Sequence, residues 1–180
     1  SVRRQVQQAC SRFRSTSHKG YTLRMNQENT SYKLSLLREV ARRMDEERLR
    51  EIAALMRIAT YPAGHVLCHE GKLETLLYLI AEGSAVVTRE SADGQGTLTL
   101  GHAGRGDLVG ESGIIQSGPR SATVTTETDC IVLEMEKADL ESILGHNPAV
   151  AVGLVNIANE RQRINDVIAM QELFAAGVDW

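Results

Sequence analysis

The chain has 180 residues, 42% hydrophobic and 24% charged, enough for one domain with a core plus appended helices. No apolar run reaches the roughly 18 residues that a membrane-spanning helix needs, and the start, SVRRQVQQAC, lacks the apolar stretch of a signal peptide, so a soluble, cytoplasmic protein is expected. The net charge of −3 hides a split: residues 1–50 hold 12 Lys/Arg against 5 Asp/Glu, a balance of +7, and residues 51–180 hold 8 against 18, a balance of −10.

In chain order, residues 1–44 read as a basic helical leader or linker, and the first residue, Ser1, fits either a segment excised from a longer parent or simple removal of the initiator methionine. Such a leader suits nucleic acid, an anionic membrane face or an acidic partner, although a solvated or partner-facing helix is the simpler reading. From Leu37, the apolar residues Val40, Ala41 and Met44 recur at helical spacing, and after Asp45 as N-cap so do Leu49, Ile52, Ala53 and Met56. A β-rich block follows. Of 15 glycines, 11 lie between Gly64 and Gly118, among the strand candidates HVLCHE, TLLYLIAE, SAVVTRE, TLTLG, SATVTTE and CIVLEME. ADGQG, Ala92 to Gly96, reads as a hairpin loop, because Asp-Gly supplies the positive φ that such turns need. Short strands with frequent turns predict a sandwich or closed roll.

After the strands, KADLESIL reads as a short helix stopped at Gly145, and Asn147 with Pro148 opens a longer one. Val150, Leu154, Ile157, Ile164 and Ile168 fall near a heptad seam that Arg161 interrupts. This stripe serves either its own domain or, as residues 146–180, a lid or homodimer arm. The expected fold is α+β: N-terminal helices on an antiparallel β-roll at residues 45–145, followed by a long C-terminal helix.

The stretch GESGIIQSGPRSATV, Gly110 to Val124, carries the chemistry. Strand signals end near Val109, and the following residues read as a turn into one short helical turn closed by Gly118 and Pro119. Free backbone N–H groups beside Gly110 and Gly113 suit a phosphate. Arg120, with a planar fork, can grip two phosphate oxygens. Glu111 would repel that phosphate, yet its carboxylate is a strong acceptor for a ribose hydroxyl. Phosphate and free ribose hydroxyl in one small molecule point to a nucleotide.

On these residues the run from about Asp45 to Leu144 resembles the cyclic nucleotide-binding domain family, through YPAGHVLCHEG, LLYLIAEGSAVV, GRGDLVGESGIIQSGPRSATV and DCIVLEMEKADLESIL. The resemblance implies a cAMP or cGMP sensor that regulates a fused or partner effector through helix movement. It implies Gly110 and Glu111 on the ribose side, Arg120 on the cyclic phosphate, and backbone amides near Ser112, Gly113, Ser121 and Ala122 completing the cradle. Here Val109 stands where the family usually has phenylalanine, and Ser112 and Gly113 replace a large apolar residue and alanine. Ser121 leaves the base preference open. The effector implied is a channel, transporter or enzyme of a longer parent; the chain ends at Trp180, with no room for the helix-turn-helix of the family's transcription factors, so DNA binding is not expected.

Two other classes are weighed. A nucleotide-free interaction domain of the same fold would keep Glu111 and Arg120 as a structural ion pair, although burying such a pair contributes little stability by itself. A cupin-like metal enzyme would use HVLCHE, where His65, Cys68, His69 and Glu70 crowd together. On a strand, however, His65 and His69 share a face opposite Cys68, so both histidines are solvated if Val66 and Cys68 face the core. His18, His102 and His146 stand apart, and Cys10, Cys68 and Cys130 match no disulfide or zinc framework, which favours a reducing compartment. No catalytic residues and no metal are expected.

Overall fold

The computed structural model describes residues 27–42, 44–91, 96–110 and 118–146. Two helices come first, α1 (Gln27–Val40) and α2 (Glu46–Leu55). The periodicity seen from Leu37 is thus the end of a helix that starts at Gln27, because the polar first turns of α1 carry no stripe to read. Asp45 caps α2 by accepting the Arg48 N–H at 3.0 Å, as its residue type and place predict. The leader before Gln27 and the long helix after Asn147 lie outside the described residues.

Eight strands follow: β1 (Arg57–Tyr61), β2 (Val66–Cys68), β3 (Leu76–Glu82), β4 (Ala85–Glu90), β5 (Thr97–Ala103), β6 (Leu108–Val109), β7 (Thr123–Thr126) and β8 (Cys130–Glu136). They form two four-stranded antiparallel sheets in the orders β1-β8-β3-β6 and β2-β7-β4-β5, and α3 (Lys137–His146) closes the described fold. This is the expected roll with flanking helices. Glu90 pairs with Thr97, so β4 and β5 do form a hairpin, although the tip at 92–95 lies outside the described residues.

The first sheet is buried on both faces, which is why β3 and β8 read as continuous apolar runs rather than alternating ones. Leu77, Leu79, Ile131, Leu133 and Met135 join Leu34, Leu36 and Leu37 of α1, Leu49 and Ile52 of α2, and Leu140 and Ile143 of α3 in one core. Tyr78, Ile80, Cys130 and Val132 face the other way, into a second core with Leu67, Cys68, Ala85 and Val124 of the opposite sheet. The residues of α1 are therefore part of the roll's packing. β1 has no counterpart among the predicted strands, and β6 is read only as the end of a strand near Val109. RIATY follows α2 without a turn residue between them, and two-residue β6 is too short to show any period.

Two charged groups are buried here. Lys33 of α1, 1% exposed, donates to the carbonyls of Ala53 at 2.6 Å and Met56 at 2.9 Å, filling acceptors that the C-terminus of α2 leaves open. Its burial lowers the lysine pKa. Glu134 of β8 takes Arg57 at 3.2 Å and the Tyr61 hydroxyl, and Tyr61, half-buried and facing that carboxylate, has its phenol pushed well above the usual range.

Between β3 and β4 the chain turns at Gly83 with φ of +91°, where an added Cβ would stand 2.6 Å from the Asp129 carbonyl and 2.7 Å from Cys130 Sγ. Gly83→Ala therefore combines an unfavourable backbone conformation with a backbone clash, and the expected loss is about 2–4 kcal/mol, read as a lower urea midpoint at unchanged slope.

Candidate functional site

Three segments converge on Arg120: the β2–β3 loop, the end of β6, and the chain entering β7. The backbone of Arg120 is clipped to the loop in both directions, its N–H donating to Lys72 at 2.9 Å and its carbonyl accepting the Gly71 N–H at 2.9 Å. Nearby, Arg89 of β4 donates to the Ser121 carbonyl at 2.8 Å, fixing the next residue to the neighbouring strand.

The side chain of Arg120 points inward and is 3% exposed. Nη1 donates to the Gly110 carbonyl, Nη2 to the Leu76 carbonyl, and Nε to Glu74 Oε2 at 3.4 Å. Of the five guanidinium N–H groups, three are thus directed at protein acceptors among the described residues, which leaves donor capacity for an anion. Gly110 makes this approach possible. Its φ is +87°, and a Cβ there would lie 2.8 Å from Arg120 Nη1 and 3.1 Å from the Leu76 carbonyl. The glycine at the end of β6 is required by the arginine it faces.

Glu74 supplies the carboxylate. It also accepts from His69, through the backbone N–H at 3.1 Å and ring Nδ1 at 2.8 Å. Partial burial alone would raise the Glu74 pKa, but the two His69 bonds and the nearby charges hold it below its ordinary value. The arrangement is a buried fork, balanced by one carboxylate and two carbonyls, at the end of β6.

Of the residues singled out from sequence, Gly110 and Arg120 are in direct contact. Ser121 is exposed, and Ala122 is half-buried just before β7. Glu111, Ser112 and Gly113 lie outside the described residues. The carboxylate that the structure sets against Arg120 is Glu74, 46 positions away, which sequence spacing gave no means of finding. The HVLCHE run is not the regular strand expected. Only Val66–Cys68 is β2, its pairing with β7 shifts register, and the histidines fall outside it. His69 is exposed, whereas His65 is half-buried with its ring stacked on Tyr61 at 4.4 Å, so only one of the two is solvated as expected. Among the described residues no group of three or more His, Cys, Asp or Glu is arranged to hold a metal ion, and no helix is long and apolar enough to cross a membrane.

Comparison with known proteins gives a consistent picture. The family model for the cyclic nucleotide-binding domain matches residues 58–147. A CRP-like cAMP-activated global transcriptional regulator of Mycobacterium tuberculosis is 31% identical over 103 residues, 57% of this chain and 46% of that protein. A cyclic nucleotide-gated potassium channel of Mesorhizobium japonicum is 32% identical over 112 residues, 62% of this chain and 29% of the channel. This chain therefore spans less than half the length of either relative. Among solved structures, a cyclic nucleotide-binding domain from Methylobacillus flagellatus superposes with a TM-score of 0.73 at 19% identity, covering 87% of this chain and 97% of that one, a likeness of fold.

Because the folded state holds Glu74 below the usual 4.5, its ionised form stabilises the fold above that pH, and the contribution is lost as pH falls through the lowered value. Glu74→Gln should be less stable than wild type at neutral pH and show a flatter loss of stability on acidification, measured by urea denaturation across this range.

Proposed function

The chain belongs to the cyclic nucleotide-binding domain family, and from this premise we propose that it is a regulatory module that binds a cyclic nucleotide through Arg120 and passes the event to an effector by moving helices. The observation that carries this reading is the Arg120 fork: buried, oriented from three sides, and placed next to Gly110 with donor capacity remaining. A cyclic phosphate with two exocyclic oxygens matches a planar guanidinium, and the partly dry setting strengthens the contact. Gly110 and Glu111 take the ribose side. Amides near Ser112, Gly113, Ser121 and Ala122 complete the cradle, and Ser121, the exposed hydroxyl beside the arginine, is the residue placed to act on the choice between cAMP and cGMP. The two relatives, one cAMP-activated and one cyclic nucleotide-gated, support this ligand class.

A route from ligand to helix is available within the fold. β6 enters the site at Gly110 and is preceded by a turn in which Arg105 donates to the Ala81 carbonyl at 2.6 Å and to Glu39 at the end of α1 at 2.9 Å. Two turns earlier on the same face of α1, Tyr32 donates to Glu82 of β3 at 3.3 Å. A ligand that draws Arg120 toward itself loosens the carbonyl of Gly110, and the displacement runs along β6 to the Arg105 turn and so to α1. The ligand shifts the population between two helix placements rather than driving chemistry, so the role is regulatory and not enzymatic. The effector is a channel, transporter or enzyme part of a longer protein.

Titration calorimetry of the nucleotide-stripped chain with cAMP and with cGMP tests the reading. Saturable binding is expected, weakened at least about tenfold in Arg120→Ala, on the order of 1.4 kcal/mol. The ratio of the two affinities gives the base preference. Silence with both ligands would instead identify a nucleotide-free interaction domain.

A further inference from the structure

His69 stands at the edge of this site and, through Glu74, in line with Arg120. Its ring Nδ1 lies 2.8 Å from Glu74 Oε1, its backbone N–H donates to Oε2 at 3.1 Å, and Oε2 in turn accepts Arg120 Nε at 3.4 Å. One carboxylate is shared between an imidazole and the guanidinium assigned to the ligand. From this geometry we propose that His69 is a positioning residue whose protonation sets how firmly Arg120 holds an anionic ligand, a role that rests on the cyclic nucleotide reading above.

The electrostatic reason is local. With a neutral imidazole, Glu74 presents its full negative charge to Arg120 and competes with an incoming phosphate for it. With a protonated imidazole, Glu74 becomes the shared partner of two cations, and the sum over His69, Glu74 and Arg120 rises from zero to +1. Histidine is the side chain that makes this change between about pH 5 and 8. A cyclic phosphodiester keeps a single negative charge over the same range. The side chain of His69 is 56% exposed, so protons reach it without any opening of the fold. Among the described residues the other charged groups nearby are Glu70 and Lys72 on its own loop and Arg89 and Glu90 from β4, where Glu70 accepts the Glu90 N–H at 2.8 Å. Side chains of these types ordinarily titrate outside the histidine window. By linkage, a ligand that binds the protonated form more tightly also takes up protons on binding.

The test is calorimetric titration of the chain with cAMP at about pH 5.5 and 8, the span of histidine titration, in two buffers of different ionisation enthalpy, on wild type, His69→Asn and His69→Ala. Wild type should bind about threefold more tightly at the lower pH, the effect of one unit charge several ångströms away through a largely aqueous path, and should take up protons as it binds. Asparagine can donate from nearly the place of Nδ1 but does not titrate. His69→Asn should therefore hold the high-pH affinity of wild type with no pH dependence and no uptake. His69→Ala should be weaker than His69→Asn and equally flat. A wild-type affinity that does not change with pH, or a slope that persists in His69→Asn, would overturn the role of His69 while leaving ligand binding in place. A chain silent to cAMP is titrated with cGMP in the same way, and absence of binding to either nucleotide at both pH values in all three proteins would overturn the functional reading itself, and this one with it.

Discussion

A guanidinium held almost entirely out of water, with backbone carbonyls as two of its three protein partners, is the constraint on which the proposed ligand face of this domain depends. A buried charge is tolerated only when its donors are satisfied, because each lost partner leaves a desolvated group costing about 1–3 kcal/mol or more. For Arg120 those partners come from three places in the chain: Leu76 at the start of β3, Gly110 at the end of β6, and Glu74 in the loop between β2 and β3. The arginine therefore orders the loop, the strand end and its own segment together. An anion that competes for the fork must be repaid by the contacts it makes, and what it releases are the carbonyls that hold these segments in place. Binding and rearrangement are two aspects of one exchange of acceptors.

The doubly covered sheet explains how such an exchange can be felt elsewhere. β3 and β8 touch the helices with one set of side chains and the inter-sheet core with the other, as Leu79 and Ile80 or Leu133 and Val132 illustrate. Close-packed interiors transmit small displacements because they have no slack to absorb them. The inter-sheet side and the helix side of this sheet are consequently one residue apart in sequence while facing opposite directions.

Much of this architecture was legible from residue pattern alone. The strands with strong apolar content, CIVLEME and TLLYLIAE, fall at β8 and β3 within one residue, and Asp45 caps α2 as its side chain and position imply. Reading failed where no local signal exists. β1 starts directly after a helix without turn chemistry between them, and of two-residue β6 only its end near Val109 could be read. At the site, Gly110 and Arg120 were visible because they share a short motif. Glu74 was not, since a carboxylate in a polar loop carries no mark of the arginine it will meet after folding. His69 was conspicuous for the wrong reason, its nearness to other metal-capable side chains. Its actual partner is the carboxylate of Glu74, across the turn.

Lys33 gives the helices a mechanical property. Its ammonium group lies buried in α1 yet is bonded to the last carbonyls of α2, so prying the two helices apart would strand a cation and reopen both acceptors. The pair is fastened by a clasp that yields poorly, so in the proposed helix movement the two travel as a single lever. With 14 residues at about 1.5 Å each, α1 is an arm of about 20 Å. Glu39 sits at the end nearest the Arg105 turn, so a rotation begun there is smallest at its source, and the opening residues of the helix travel farthest.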